Sequence, residues 1–168
     1  MEYSKLYLGE GMDLIFVNIG IVLIALILAS YYDLKSKEIP NFITYPLIII
    51  GFFVMMLTMA GMSGTGLLQY SVLILACFFF IVGFLANQKG WFGGGDVKLI
   101  TGLILMTPEK FISFEFFLYF FLLTCVCALL YYGITVLLGK EKLTKKAVIK
   151  FAPSILVGYI IVVLAFLW

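Results

Sequence analysis

Apolar positions along this chain fall in long, nearly unbroken runs, without the strict alternation of a half-buried strand. Six runs approach the length that crosses a bilayer: residues 14–32, 42–60, 67–86, 97–107, 114–138 and 151–168. Each predicts a helix, because lipid offers no partner for backbone N–H and C=O groups and a helix satisfies them within one segment. The other lipid-compatible solution, a barrel, needs short alternating strands that this sequence lacks. Connections are short and carry no repeat or low-complexity linker. The expectation is an all-α integral membrane protein, a bundle of about six transmembrane helices forming a single domain over residues 1–168.

Composition removes the soluble alternatives. Hydrophobic residues make up 64% of the 168 positions and charged residues 12%, about half the charged fraction of an ordinary globular domain. Such a chain holds several spans but no appended soluble domain, so any site must be built from the spans and their loops. No nucleic-acid partner is expected. The eleven basic residues are all lysines. Counted along the spans, Lys35, Lys37, Lys89, Lys98, Lys140, Lys142, Lys145, Lys146 and Lys150 fall on one side, and Lys5 and Lys110 on the other. The positive-inside rule then puts both termini outside and the loops after the first, third and fifth spans in the cytoplasm. The lysines from 140 to 150 also suit contact with anionic membrane lipids. The first run is expected to be retained, since Glu2, Glu10 and Asp13 against Lys5 do not make the basic flank of a signal peptide. Cys77, Cys125 and Cys127 lie inside runs without metal-ligand spacing and read as small apolar residues, so no metal or cofactor is expected.

Two carboxylates need explaining. Asp33 and Asp96 stand 63 positions apart, each at the edge of an apolar run, and span parity puts both on the cytoplasmic face. A charge at a bilayer boundary is costly and marks a functional site by default. Asp33 leads into Leu34-Lys35-Ser36-Lys37-Glu38-Ile39-Pro40-Asn41. Pro40 stops a helix from running through and disfavours helical geometry at Ile39, which predicts a tight exit and re-entry with Asp33 near the water line and Asn41 as a helix N-cap. Asp96 follows Trp91-Phe92-Gly93-Gly94-Gly95 and precedes Val97-Lys98. Gly93, Gly94 and Gly95 let backbone approach a substrate or adopt positive φ, and Asp96 falls where an N-cap belongs. The run that follows is only about 16 Å of helix against about 30 Å of hydrocarbon. Irregular backbone must therefore enter the membrane region, which is tolerated where it is buried in protein or lines a watery cavity. Taken singly, each segment also reads as an ordinary interfacial charge or a loop with a cap.

Together the segments resemble the prepilin peptidase family, the GxGD-type membrane aspartic peptidases that process type IV pilins and archaeal flagellins. The matching residues are Asp33 with Lys37-x-Ile39-Pro40-Asn41, then Gly93-x-Gly95-Asp96 followed by Val97-Lys98, and more weakly Phe151-Ala152-Pro153 followed by Gly158. The resemblance implies that Asp33 and Asp96 are a catalytic pair. It also implies the substrate: a prepilin-like or preflagellin precursor whose short basic leader is cut at the cytoplasmic face, just before its apolar helix. Larger bacterial members carry a cysteine-paired insertion after the first span, whereas here that loop is about eight residues, so neither zinc nor methyltransferase activity carries over. Tyr32-Asp33 also fits the presenilin-like proteases, but their Pro-Ala-Leu motif is missing.

Two carboxylates suffice for this chemistry. One takes a proton from water while the other, protonated, polarises the scissile carbonyl. Asp96 opens a helix, whose positive end favours the ionised form, and Asp33 closes one, whose negative end opposes it, so helix polarity predicts Asp96 as base and Asp33 as the proton carrier. Glu38 is the remaining acid of the Asp33 loop, a solvated charge that could meet a basic leader. Lys98 is expected to snorkel, or to hold Asp96 ionised. A second functional class is a small cation transporter or channel with Asp33 and Asp96 as ion ligands. Against it, no polar residues continue toward the outer face. A purely structural membrane subunit leaves Gly93 to Asp96 unexplained.

Overall fold

The computed structural model describes residues 3–61, 66–90, 93–108, 111, 113–138 and 151–167. These form six helices, α1 (Tyr3–Ser36), α2 (Asn41–Gly61), α3 (Gly66–Gln88), α4 (Gly94–Leu105), α5 (Phe114–Leu137) and α6 (Ala152–Leu167), and no strand among the described residues. Ile15–Ser36 in α1, Tyr70–Gln88 in α3 and Glu115–Leu137 in α5 are long and apolar enough to cross a membrane, and Asn41–Leu57 and Ala152–Leu167 are shorter apolar helices. Lys110 and the lysines from 140 to 150, which carry much of the charge asymmetry, lie outside the described residues, as do Trp91, Phe92 and the side chain of Lys5.

Apolar side chains point both ways, as a membrane helical protein requires. Phe53, Leu57, Ile74, Phe78, Leu129 and Leu130 are exposed, while Val22, Leu26, Leu47, Leu103, Phe120 and Ile155 meet in one core. The short α4 carries the most continuous buried stretch, with every residue from Leu99 to Leu105 buried. It packs on α2 and α3, while α6 packs on α1 and α5. α2 and α4 run parallel, with Leu47 against Gly102 and Gly51 against Leu105, so close that a Cβ on either glycine would come within 2.9 or 2.8 Å of the facing side chain. Lipid supplies no hydrophobic drive for helices to associate, so small residues that allow backbone approach do that work here.

Irregular backbone follows the far end of α4. Beyond Leu105 the chain leaves the helix, yet Met106, Thr107, Pro108 and Phe111 are buried. Its polar groups find local partners: the Met106 N–H donates to the Gly102 carbonyl at 3.0 Å, and the Thr107 hydroxyl to the Leu103 carbonyl, also at 3.0 Å. This irregular backbone is thus buried in protein. Ser113 then caps α5 by accepting the Phe116 N–H at 3.1 Å.

Two boundaries differ from expectation. α1 runs past Asp33 to Ser36, so Asp33 does not end the helix but lies 6% exposed in its last turns. The helix stops at Lys37, whose backbone is left-handed with φ 59° and whose N–H donates to the Asp33 carbonyl at 3.1 Å. α4 begins at Gly94 rather than Val97, which draws Gly94, Gly95 and Asp96 into its first turn.

Candidate functional site

Asp33 reaches its site from the end of α1, but its partner lies 119 residues away. Its Oδ2 accepts the backbone N–H of Ala152 at 3.1 Å, at the first position of α6. Phe151 starts that turn by accepting the N–H groups of Ser154 and Ile155, and Pro153 fits a first turn because its missing N–H would have had no helical partner. The carboxylate therefore satisfies one of the donors that a helix N-terminus leaves open, at the positive end of α6. Helix polarity read from α1 alone missed this second helix end.

The second carboxylate sits in a different setting. Gly93, extended at φ −68° and ψ 136°, is the N-cap of α4, so Asp96 is the third residue of the helix and not its cap. From there the carboxylate reaches back to the Gly93 N–H, one half of a capping box. At two of the three positions a side chain would collide, at Gly95 with Ile39 atoms that cannot move aside and at Gly93 with the end of the Asp96 side chain, which would have to shift. A Cβ on Gly93 would lie 2.7 Å from Asp96 Oδ2, and one on Gly95 would lie 2.8 Å from Ile39 Cβ and 3.2 Å from its carbonyl oxygen. Gly94 faces only Asn87 side-chain atoms, 3.6 Å away and beyond. Asp96 Oδ1 is shut off from solvent and has no hydrogen-bond partner among the described residues. Ahead of the apolar stretch, burial and then the Asp33 charge push the Asp96 carboxyl from 3.8 up to about 7, against a smaller downward pull from the Gly93 N–H. The direction is opposite to the one that the helix end favours: desolvation outweighs it.

The two carboxylates line one cavity. A cavity of about 290 Å³ is lined by Asp33, Lys37, Glu38 and Ile39 on one side and by Gly93, Gly94, Gly95 and Asp96 on the other. A larger groove of about 420 Å³ between α5 and α6 is lined by apolar side chains and Tyr119, away from both carboxylates. Glu38 is exposed at the rim, and its carbonyl accepts the Ser36 hydroxyl at 3.1 Å. Pro40 ends the loop and accepts the Ile43 N–H at 3.1 Å. Asn41 is the first residue of α2 rather than a cap before it, and its Oδ1 accepts from Lys98 Nζ at 2.8 Å. Lys98 also donates to the Tyr45 hydroxyl at 3.2 Å, with its ammonium 4.6 Å from the centre of that ring. Lys98 thus faces α2, and the charge that acts on Asp96 is that of Asp33.

Sequence reasoning missed Ala152 as the partner of Asp33, Ile39 as the wall against Gly95, and Tyr45 beside Lys98. The Phe151-Ala152-Pro153 match was a signal for the first. The adjacency of Ile39 to Pro40 and of Tyr45 to the start of α2 gave no sign of the other two.

Several curated proteins are similar to this chain. A preflagellin peptidase of Methanocaldococcus jannaschii is 35% identical over 94 residues, which is 55% of this chain and 39% of that protein. The prepilin peptidase EppA of Methanothermobacter thermautotrophicus is 30% identical over 102 residues, 60% of this chain and 26% of that protein. A preflagellin peptidase of Methanococcus maripaludis is 35% identical over 92 residues, 51% and 36% of the two. The matched region spans between about a quarter and two fifths of these relatives' length. No solved structure matches the chain. The model of the type IV leader peptidase family matches residues 20–134, a stretch that holds both carboxylates and ends before Ala152. That match covers more than half of the chain, which belongs to the type IV leader peptidase family.

Proposed function

We propose that this chain is a membrane aspartic endopeptidase that removes the short basic leader from prepilin-like or preflagellin precursors, with Asp33 and Asp96 as its catalytic pair. One observation carries the reading: two carboxylates 63 positions apart line one small cavity, and the charge of one acts on the other. Close carboxylates share a proton, as the chemistry requires. In this reading the roles are the reverse of those that helix polarity predicts. Asp96, with its carboxyl near 7, carries the proton. Asp33, already accepting an N–H at the positive end of α6, is the base. Asp33 takes a proton from water as the oxygen adds to the scissile carbonyl carbon, and Asp96 gives its proton to the carbonyl oxygen. When the tetrahedral species collapses, Asp33 returns a proton to the leaving nitrogen and Asp96 regains one from a hydroxyl. The unpartnered Asp96 Oδ1 is available for the substrate.

The proposal includes a single unit of about six spans with the N-terminus outside, in a prokaryotic cell membrane, and the carboxylates at the cytoplasmic face among anionic lipids. Membership of a peptidase family disfavours the cation-path alternative. The test is cleavage of a prepilin-like precursor in detergent. Wild type should cut, and Asp33→Asn and Asp96→Asn should each lose at least about a thousandfold, as loss of a general acid or base together with its charge does. Cleavage that survives both substitutions would rule out the dyad.

A further inference from the structure

The first five residues of α4 face two ways, with Gly95 and Lys98 toward the segment from Ile39 to Tyr45 and Asp96 toward the cavity. Gly95 lies against Ile39, Asp96 lines the cavity, and Lys98 meets Asn41 and Tyr45 on α2. At about 100° per residue, Asp96 and Lys98 project about 200° apart, on nearly opposite sides of the helix. The position of one therefore reports the rotation of the other. Asn41, the first residue of α2, is the second residue after Ile39, so Lys98 grips the same chain segment that Gly95 touches.

We propose that Lys98 is a positioning residue for the Asp33–Asp96 pair: its bond to Asn41 fixes the rotation of α4 about its axis and so the direction in which Asp96 faces Asp33. This inference rests on the dyad reading. A rotation of α4 that carried Asp96 out of the cavity would draw the Lys98 ammonium off Asn41 Oδ1. Gly95 cannot serve as the key alone, because with no side chain it resists approach but not turning. Lys98 is suited to the task. Its ammonium is held at three points, by the Asn41 oxygen at 2.8 Å, the Tyr45 hydroxyl at 3.2 Å and the Tyr45 ring face at 4.6 Å. Charge-assisted bonds of this kind are about twice as strong as neutral ones. The grip is made between side chains 57 positions apart, outside the reacting atoms.

The consequence is a split in the kinetics. A key that sets the geometry of the reacting groups and does not touch substrate changes kcat and leaves KM in place, and a displacement of about 1 Å costs about a hundredfold. Lys98→Met, Asn41→Leu and the double variant should each lower kcat for the prepilin-like precursor about 10- to 100-fold, with KM within about twofold of wild type. The double variant should be no worse than the worse single one, because both remove one interaction. Asn41→Asp keeps the acceptor and should recover most of what Asn41→Leu loses. A merely structural role would lower the melting temperatures of Lys98→Met and Asn41→Leu without the split between kcat and KM. Should Lys98→Met fail to fold, the pair Asn41→Leu and Asn41→Asp carries the same test.

Three results overturn the proposal. Wild-type kcat in Lys98→Met or Asn41→Leu shows that the grip is idle. Losses that multiply in the double variant show two independent effects. Failure of wild type to cut any precursor removes the dyad reading and this inference with it, whereas cleavage by wild type with idle grip residues removes the inference alone.

Discussion

The end of α1 and the start of α4 each deliver one carboxylate to the same cavity, but they treat it differently. Asp33 is the more buried of the two and is matched, by an N–H at the head of α6. Asp96 is half-buried, yet one of its oxygens has no partner among the described residues and its carboxyl lies near 7. Burial alone does not decide how a carboxylate behaves; the donors that come with the burial do. An asymmetric pair is suited to hydrolysis, because one member must be without a proton while the other holds one.

The comparison breaks most sharply at the glycines. Gly95→Ala drives a Cβ into the backbone and Cβ of Ile39, atoms that no rotamer change can move aside. It should cost at least about a hundredfold in cleavage, since the two carboxylate-bearing segments must separate. Gly94→Ala places its Cβ in ordinary contact with Asn87, so nothing has to move to admit it. It should cost less than tenfold. Equal losses in the two variants would show that the close approach of Ile39 to Gly95 has no part in holding the pair.

Stability separates the carboxylates by sign. Asp96 has a folded-state pKa raised above its unfolded value, so its contribution is fully present below about pH 4 and is lost as pH rises through about 7. At pH 8 wild type bears the whole penalty, on the order of 2–4 kcal/mol, and Asp96→Asn should melt higher by that amount, with the gain shrinking toward pH 4. Asp33→Ala leaves the Ala152 N–H buried without its acceptor, and should melt lower by about 1–3 kcal/mol. Thermal melts in detergent that move in the same direction for both variants would erase the distinction. The pH profile of cleavage sharpens it further. If Asp96 must carry a proton, kcat/KM should fall on the alkaline side near pH 7, about tenfold per unit beyond it.

The amount legible in the sequence follows the range of the interactions involved. Helices were readable because unbroken apolar runs are a local signal, and the buried irregular stretch beyond α4 followed from length alone. The boundaries at Ser36 and Gly94 were misread because side chains that favour an N-cap or a water line were weighed above the backbone at Lys37 and Gly93 that sets the ends. Motif resemblance brought Asp33 and Asp96 forward but could not divide their roles. The division proposed above rests on Ala152, which no local pattern ties to Asp33, and on desolvation that exists only once the core is packed. The Lys98 and Asn41 contact was equally hidden, each residue having an adequate local explanation.

The smallest expected effect tests the turn that delivers Asp33. Lys37 is exposed and sits at φ 59°, a conformation in which a side chain costs about 1–2 kcal/mol and which asparagine tolerates better than most. Its backbone N–H closes the helix on the Asp33 carbonyl, and the chain then turns to bring Ile39 beneath Gly95. If the backbone is what matters, Lys37→Asn should keep or raise stability by up to about 1 kcal/mol, whereas Lys37→Val, β-branched and ill suited to positive φ, should lose about 1–2 kcal/mol and reduce cleavage with it. If the ammonium at the cavity wall matters instead, Lys37→Asn and Lys37→Val should lose cleavage equally while their melting temperatures diverge. Measuring both quantities on the same two variants separates the turn from the charge, and so tells whether the Asp33 side of the cavity is set by backbone geometry, as the Asp96 side is by Gly93 and Gly95.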